Sequence, residues 1–190
     1  VSGNAVIANS FFTDNVAYDD GGGVDVNGPS ALLNCTIVNN LAGDDGGGVD
    51  VREDTIMRNC IVYYNTGTKG NDLDYSSETT IDTCMTPTLL GTDPVAGPPR
   101  LASLFNPHLL PGSPAIDAGT NIWTVADTDI DGSNRVVNAV VDLGCDEVDV
   151  FSGSLTVGIE SETLTLVAGT PLDLLSVIDG VASGLVWSIE

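Results

Sequence analysis

Basic residues are the first thing this chain lacks. Five lysines and arginines stand against 27 aspartates and glutamates among 190 residues, for a net charge of −22. No basic face exists to displace the counterions of a phosphate backbone, which argues against a nucleic-acid partner. Anionic membranes and polyanionic sugars are repelled for the same reason, whereas a divalent cation or a saline surrounding suits such a surface. No apolar run approaches the ~20 residues that span a bilayer, so direct membrane insertion is not expected. The four cysteines, Cys35, Cys60, Cys84 and Cys145, show no CxxC spacing, which removes the common zinc frameworks. There is one histidine, His108. Ser113 lies in "PGSPA" and not in a nucleophile elbow, so no Ser-His-Asp triad can be assembled. A helical 3.6-residue period is missing as well, and aromatics are sparse.

What is present is repetition. The stretch "DDGGGVDV" occupies residues 19–26 and, letter for letter, residues 44–51. The same offset relates Ile7, Leu32 and Met57; Asn9, Asn34 and Asn59; Ser10, Cys35 and Cys60; Phe12, Ile37 and Val62; and Asn15, Asn40 and Asn65. A further copy with one residue deleted after Asn65 carries Gly70, Leu73, Asp74, Ile81 and Cys84 in those columns. A repeat of about 25 residues built from short alternating runs specifies an all-β parallel solenoid with about three strands per coil. Alternation points Val24, Val26, Cys35 and Ile37 inward, and Asp25 and Thr36 outward. The two asparagine columns are expected to sit at corners and bond from coil to coil, since asparagine tolerates left-handed backbone. The inward cysteine column is expected to pack as small hydrophobes.

These residues resemble a known family. "FFTDNVAYDDGGGVDV" and "TIVNNLAGDDGGGVDV" are similar to the FxxN…GGA[I/V] repeats of chlamydial polymorphic membrane proteins, over roughly residues 5–85. That resemblance implies a right-handed parallel β-helix of the pectin-lyase-like type. Further on, "DPVAG…LLPGSPAIDAG…DTDIDGSNR…VVDLGCDE" resembles the choice-of-anchor Q module that follows β-helix repeats in bacterial surface proteins, with Cys145-Asp146 departing from its usual ending. The last 42 residues, with alternating short runs, a Gly-Thr-Pro turn and Trp187, resemble the first half of a bacterial Ig-like domain. The expected organisation is therefore coils over 1–88, an anchor-Q-like segment closing the solenoid over 89–148, and a partial Ig-like domain over 149–190. Strands are expected at 109–119 and 138–148, capping the solenoid's last open edge. Coils are expected to precede Val1, and the chain to continue past Glu190.

Two acidic constellations are candidates for chemistry. In "DTDIDG", Asp127, Asp129 and Asp131 alternate toward Gly132 as in the first half of a calcium loop, although the twelfth position is Asn138 and not glutamate. The alternative is a solvated Asp-Gly turn. The outward column Asp25, Asp50 and Asp74 sets three carboxylates at coil spacing, a candidate for a cation, for acid–base work, or for solubility alone. A uniform exposed ladder offers no asymmetry to raise one pKa, and no arginine or lysine falls on the column. Trp123, Trp187, Tyr63 and Tyr64 could stack on sugars.

The resemblances imply an extracellular or cell-surface location and a non-catalytic, adhesin-like or stalk role, with Ca²⁺ as the one candidate cofactor. Cell-surface glycans or other surface proteins are the expected partners. The rival expectation is an extracellular polysaccharide lyase or glycoside hydrolase on the same fold.

Overall fold

The computed structural model describes residues 4–148 and, further along, the two strands Ser154–Ile159 and Glu162–Val167. Residues Val1–Asp149 form one compact unit and Val150–Glu190 a second. The first is a parallel β-solenoid of about three turns. Coil one holds β1 (Val6–Ala8), β2 (Phe11–Thr13), β3 (Val16–Ala17) and β4 (Val24–Asn27). Coil two holds β5 (Ala31–Leu33), β6 (Thr36–Val38), β7 (Leu41–Ala42) and β8 (Val49–Arg52). Coil three holds β9 (Ile56–Arg58), β10 (Ile61–Tyr63) and β11 (Leu73–Tyr75), and β12 (Thr80–Asp82) begins a fourth. Equivalent strands stack into sheets β1-β5-β9-β12, β2-β6-β10, β4-β8-β11 and the short β3-β7.

The pairing register follows the repeat. Val24 faces Val49 and Ile7 faces Leu32, as the 25-residue offset requires. Val49 then faces Leu73 in place of residue 74, and Ile56 faces Thr80, which places the deleted residue in the turn after Asn65. Val24, Val49 and Leu73, with Cys35, Cys60 and Cys84 and with Leu32, Met57 and Ile81, form one continuous buried core. The cysteines are free and buried, as small hydrophobes should be.

Each glycine of the triplet has its own task. Gly21, Gly46 and Gly70 have φ of 62°, 58° and 56°, a left-handed corner that a Cβ would strain. A Cβ on Gly22 would lie 2.2 Å from the Gly47 carbonyl oxygen, and one on Gly47 would lie 2.2 Å from that of Asn71, because the next coil passes directly underneath. The third glycine, Gly48, faces the Asn65 amide, 2.5 Å from where its Cβ would be. Among the described residues no strand pairs beyond β11, so coil three can replace the second and third glycines by Asn71 and Asp72.

The asparagine columns divide. Asn40 Nδ2 donates to Asn65 Oδ1 and Asn15 Nδ2 to Asn40 Oδ1, both at 2.9 Å, so this column is a ladder. It ends on Asp72, whose Oδ1 accepts Asn65 N at 2.8 Å and Asn65 Nδ2 at 3.1 Å. Asn9, Asn34 and Asn59 take left-handed φ of 52°, 51° and 52°, as a corner demands. Their amides do not ladder. Asn59 exchanges bonds with Thr120 (2.9 and 3.0 Å), and Asn9 donates to Thr128 O at 2.6 Å.

Those partners belong to residues 95–148, a strap lying across the outer surface of sheet β2-β6-β10. Thr36 points outward yet is fully buried, because Cys145 N donates to its hydroxyl at 3.1 Å. Thr13 donates to Leu104 O at 2.6 Å. Leu109, Ala115 and Leu143 pack on Val38, Ile61 and Met85. The expected strands at 109–119 and 138–148 are not formed. The strap contains one hairpin, β13 (Leu101–Ser103) with β14 (Asn106–Leu109), and a single 3-10 turn at Asn121–Trp123. The physical reason is that the sheet beneath already pairs its backbone from coil to coil, so a segment crossing its face finds no free ladder. Leu90 packs against the core of the coils, and Thr92 bridges to Asp82, so residues 90–92 continue onto the last coil.

The second unit contributes β15 (Ser154–Ile159) and β16 (Glu162–Val167), paired antiparallel. The rest of the expected Ig-like segment, including Trp187, lies outside the described residues.

Candidate functional site

Strands β4, β8 and β11 set Asp25, Asp50 and Asp74 side by side in register. The column is neither uniform nor free of bases. Asp50 is 3 % exposed. Arg52 lies two residues on and therefore on the same face, with Nη2 2.8 Å from Asp50 Oδ1 and 2.6 Å from Asp74 Oδ2. Asp25 instead accepts from Asn27 Nδ2 at 2.7 Å, since Asn27 is the coil-one counterpart of Arg52. Burial pushes Asp50 up to about 6, against the pull of Arg52 and with a smaller push from Asp74. One perturbed acid thus sits in the middle of the column, covered by an arginine that holds it in place. The expectation of an exposed ladder without asymmetry is corrected by that placement.

The Asp-rich loop is arranged differently from a converged carboxylate cage. Asp129 is buried, its Oδ1 accepting Asp131 N (3.0 Å) and Ser133 N (2.8 Å) and its Oδ2 accepting Glu147 N (3.3 Å). Asp127 is exposed, and its carbonyl accepts Arg135 N at 2.9 Å. Asp131 turns away from both, toward His108.

Behind this loop lies a buried polar cluster that sequence reasoning missed. Arg135, 2 % exposed, donates to the carbonyls of Asp142, Gly144 and Asp146 at 3.0, 2.6 and 3.0 Å. Asp142 accepts Asp117 N (2.6 Å) and Val148 N (2.7 Å); Glu147 accepts Val137 N and Asp142 N, both at 2.8 Å. Burial pushes Asp142 up to about 6 and Glu147 up to about 7, opposed by those N–H groups, and it lowers Arg135. These side chains supply the hydrogen bonds that a strand would have made with a neighbour. No periodicity announces them.

Among the described residues, two groupings bring possible metal ligands together. Asp20, Asp44 and Asp45 meet at the corner before the glycines, but Lys69 places its ammonium 3.3 and 3.5 Å from Asp44 and Asp45. On the strap, His108 Nδ1 lies 3.0 Å from Asp146 Oδ1 and 3.4 Å from Asp131 Oδ2. The other Asp146 oxygen accepts Leu109 N at 2.9 Å. Asp146 is first among the causes that raise the His108 pKa, followed by the opposing effect of burial.

Of the candidate sugar-stacking rings, Trp123 carries the Arg58 guanidinium 3.4 Å above its centroid, so one face is covered. Tyr63 and Tyr64 meet edge to face at 4.7 Å. Burial pushes the Cys145 thiol up to about 12, which leaves it unreactive.

No protein-family model, curated protein or solved structure matches the chain.

Proposed function

We propose that this chain is a non-catalytic structural module of an extracellular or cell-surface β-helix protein, a stalk or adhesin-like element that presents an acidic surface. The observation that carries the reading is where its polar groups go. Arg52 binds Asp50 and Asp74, Asn65 binds Asp72, and Asp129, Asp142 and Glu147 hold backbone N–H groups. A catalytic acid must reach the substrate within hydrogen-bond range, whereas Arg52 covers the outward-facing Asp50 carboxylate and the strap carboxylates are engaged by backbone N–H groups. The resemblances to polymorphic membrane protein repeats and to the choice-of-anchor Q module support the location and suggest surface glycans or other surface proteins as partners.

One observation favours the rival reading of a polysaccharide-cleaving enzyme: Asp50 sits near 6 between two further acids. The test is to incubate the chain with neutral and uronic-acid polysaccharides and assay for new reducing ends and unsaturated products, with Asp50→Asn in parallel. The stalk reading expects no turnover from either protein. Cleavage by the natural chain that Asp50→Asn abolishes would replace it with the enzyme.

A further inference from the structure

We propose that His108, Asp131 and Asp146 form a binding site for one borderline divalent transition cation of the zinc class, which ties hairpin β13–β14 to two other stretches of the strap. The proposal does not depend on the stalk reading.

Three observations carry it. The first is geometric. Around a tetrahedral ion with N and O ligands at about 2.0–2.2 Å, neighbouring ligand atoms stand about 3.3–3.6 Å apart, close to the spacing of a hydrogen-bonded pair. His108 Nδ1 stands 3.0 Å from Asp146 Oδ1 and 3.4 Å from Asp131 Oδ2, and the three donor atoms all lie within 4.8 Å of one another. The second is a buried carboxylate aimed into the cluster. The Asp146 side chain is 6 % exposed, and its Oδ1 faces the imidazole while Leu109 N holds Oδ2. A ligand held by a backbone donor on its far oxygen is the usual way a site is kept in shape. The third is chemical. The one imidazole of a chain with 27 acids meets two carboxylates, and among the described residues no lysine or arginine side chain forms an ion pair with either carboxylate. Imidazole with carboxylates suits zinc and its neighbours, whereas calcium and magnesium prefer all-oxygen shells. His108 and Asp131 are the exposed side of the cluster, which leaves room for water to complete the shell. On binding, the Nδ1 proton shared with Asp146 is given up, and the neutral ring carries its proton on Nε2.

The test uses tag-free chain stripped with a chelator and titrated by calorimetry with Zn²⁺, Ca²⁺ or Mg²⁺ at matched ionic strength. A Co²⁺ arm reads the visible absorption bands of the bound ion. The expected result is one Zn²⁺ per chain, with Ca²⁺ and Mg²⁺ at least a hundredfold weaker. His108→Ala and the solvent-facing Asp131→Asn should each weaken Zn²⁺ by tenfold or more and shift the Co²⁺ bands. Asp127→Asn should leave affinity within twofold, and far-UV circular dichroism should show all variants folded. Absence of stoichiometric Zn²⁺ binding, or binding that survives both His108→Ala and Asp131→Asn, would overturn the site and leave a plain histidine–carboxylate bond.

Discussion

The coils and the strap solve one problem in opposite ways. Both must bury backbone amides, and in the coils each strand finds its partner one turn away, so the hydrogen bonds come with the repeat. The strap crosses a face that offers no ladder, and it satisfies its backbone with buried side chains, chiefly Arg135, Asp129, Asp142 and Glu147. Regular structure spreads its stability over many small equal contributions. The strap concentrates it in a few buried polar side chains whose loss cannot be shared.

The largest effect should therefore come from the strap. Arg135→Met leaves the buried Glu147 carboxylate and three carbonyls without their cation, at a cost of about 3–5 kcal/mol. In a Trp187→Phe background, Trp123 fluorescence should report that loss at lower urea than the strand signal in circular dichroism. Coincident transitions would show that strap and coils are one cooperative body and break the contrast. Next comes Gly47→Ala in the coils, where the new Cβ meets the Asn71 carbonyl; about 2–3 kcal/mol is expected, with both signals moving together. Asp72→Ala removes the terminal acceptor of the asparagine ladder and should cost about 1–3 kcal/mol in the urea midpoint.

The pH dependence is smaller and sharpens the comparison further. Asp142 near 6, Glu147 near 7 and Asp50 near 6 all stand above their ordinary range, so the folded chain holds protons that the unfolded chain has released. Their stabilising protonation is complete below about pH 4 and is lost as pH rises through 6 to 7. His108, also raised, contributes in the same direction. Unfolding free energy should fall from pH 5 to pH 8 by an amount on the order of 1–3 kcal/mol, read as a lower thermal midpoint. Glu147→Gln should flatten that slope more than Asp50→Asn does, because the strap has no neighbouring turn to absorb the change.

The same contrast explains what could be read from residues alone. Val24, Val49 and Leu73, the cysteine column and the deletion after Asn65 were legible because a solenoid writes its contacts as a spacing. Arg52 was legible in principle: two residues from Asp50 on a strand means the same face. The strap was not. His108 and Asp146 are 38 positions apart along irregular chain, and nothing periodic connects them. The directions of Asp127, Asp129 and Asp131 are not legible either, because side-chain direction in a turn is decided by which N–H groups need an acceptor, and Asp129 serves that purpose.

Asp72 stands in the column where Gly23 and Gly48 stand in the coils before it, and its carboxylate occupies the place that the asparagine of another turn would fill. A repeat protein lengthens by duplicating its unit, and each duplication must make the old end fit to be an interior. Here that conversion is concentrated at positions 71 and 72, where glycine permits another turn below and a side chain forbids it. The place where sheet β4-β8-β11 stops stacking is thus recorded locally, as punctuation.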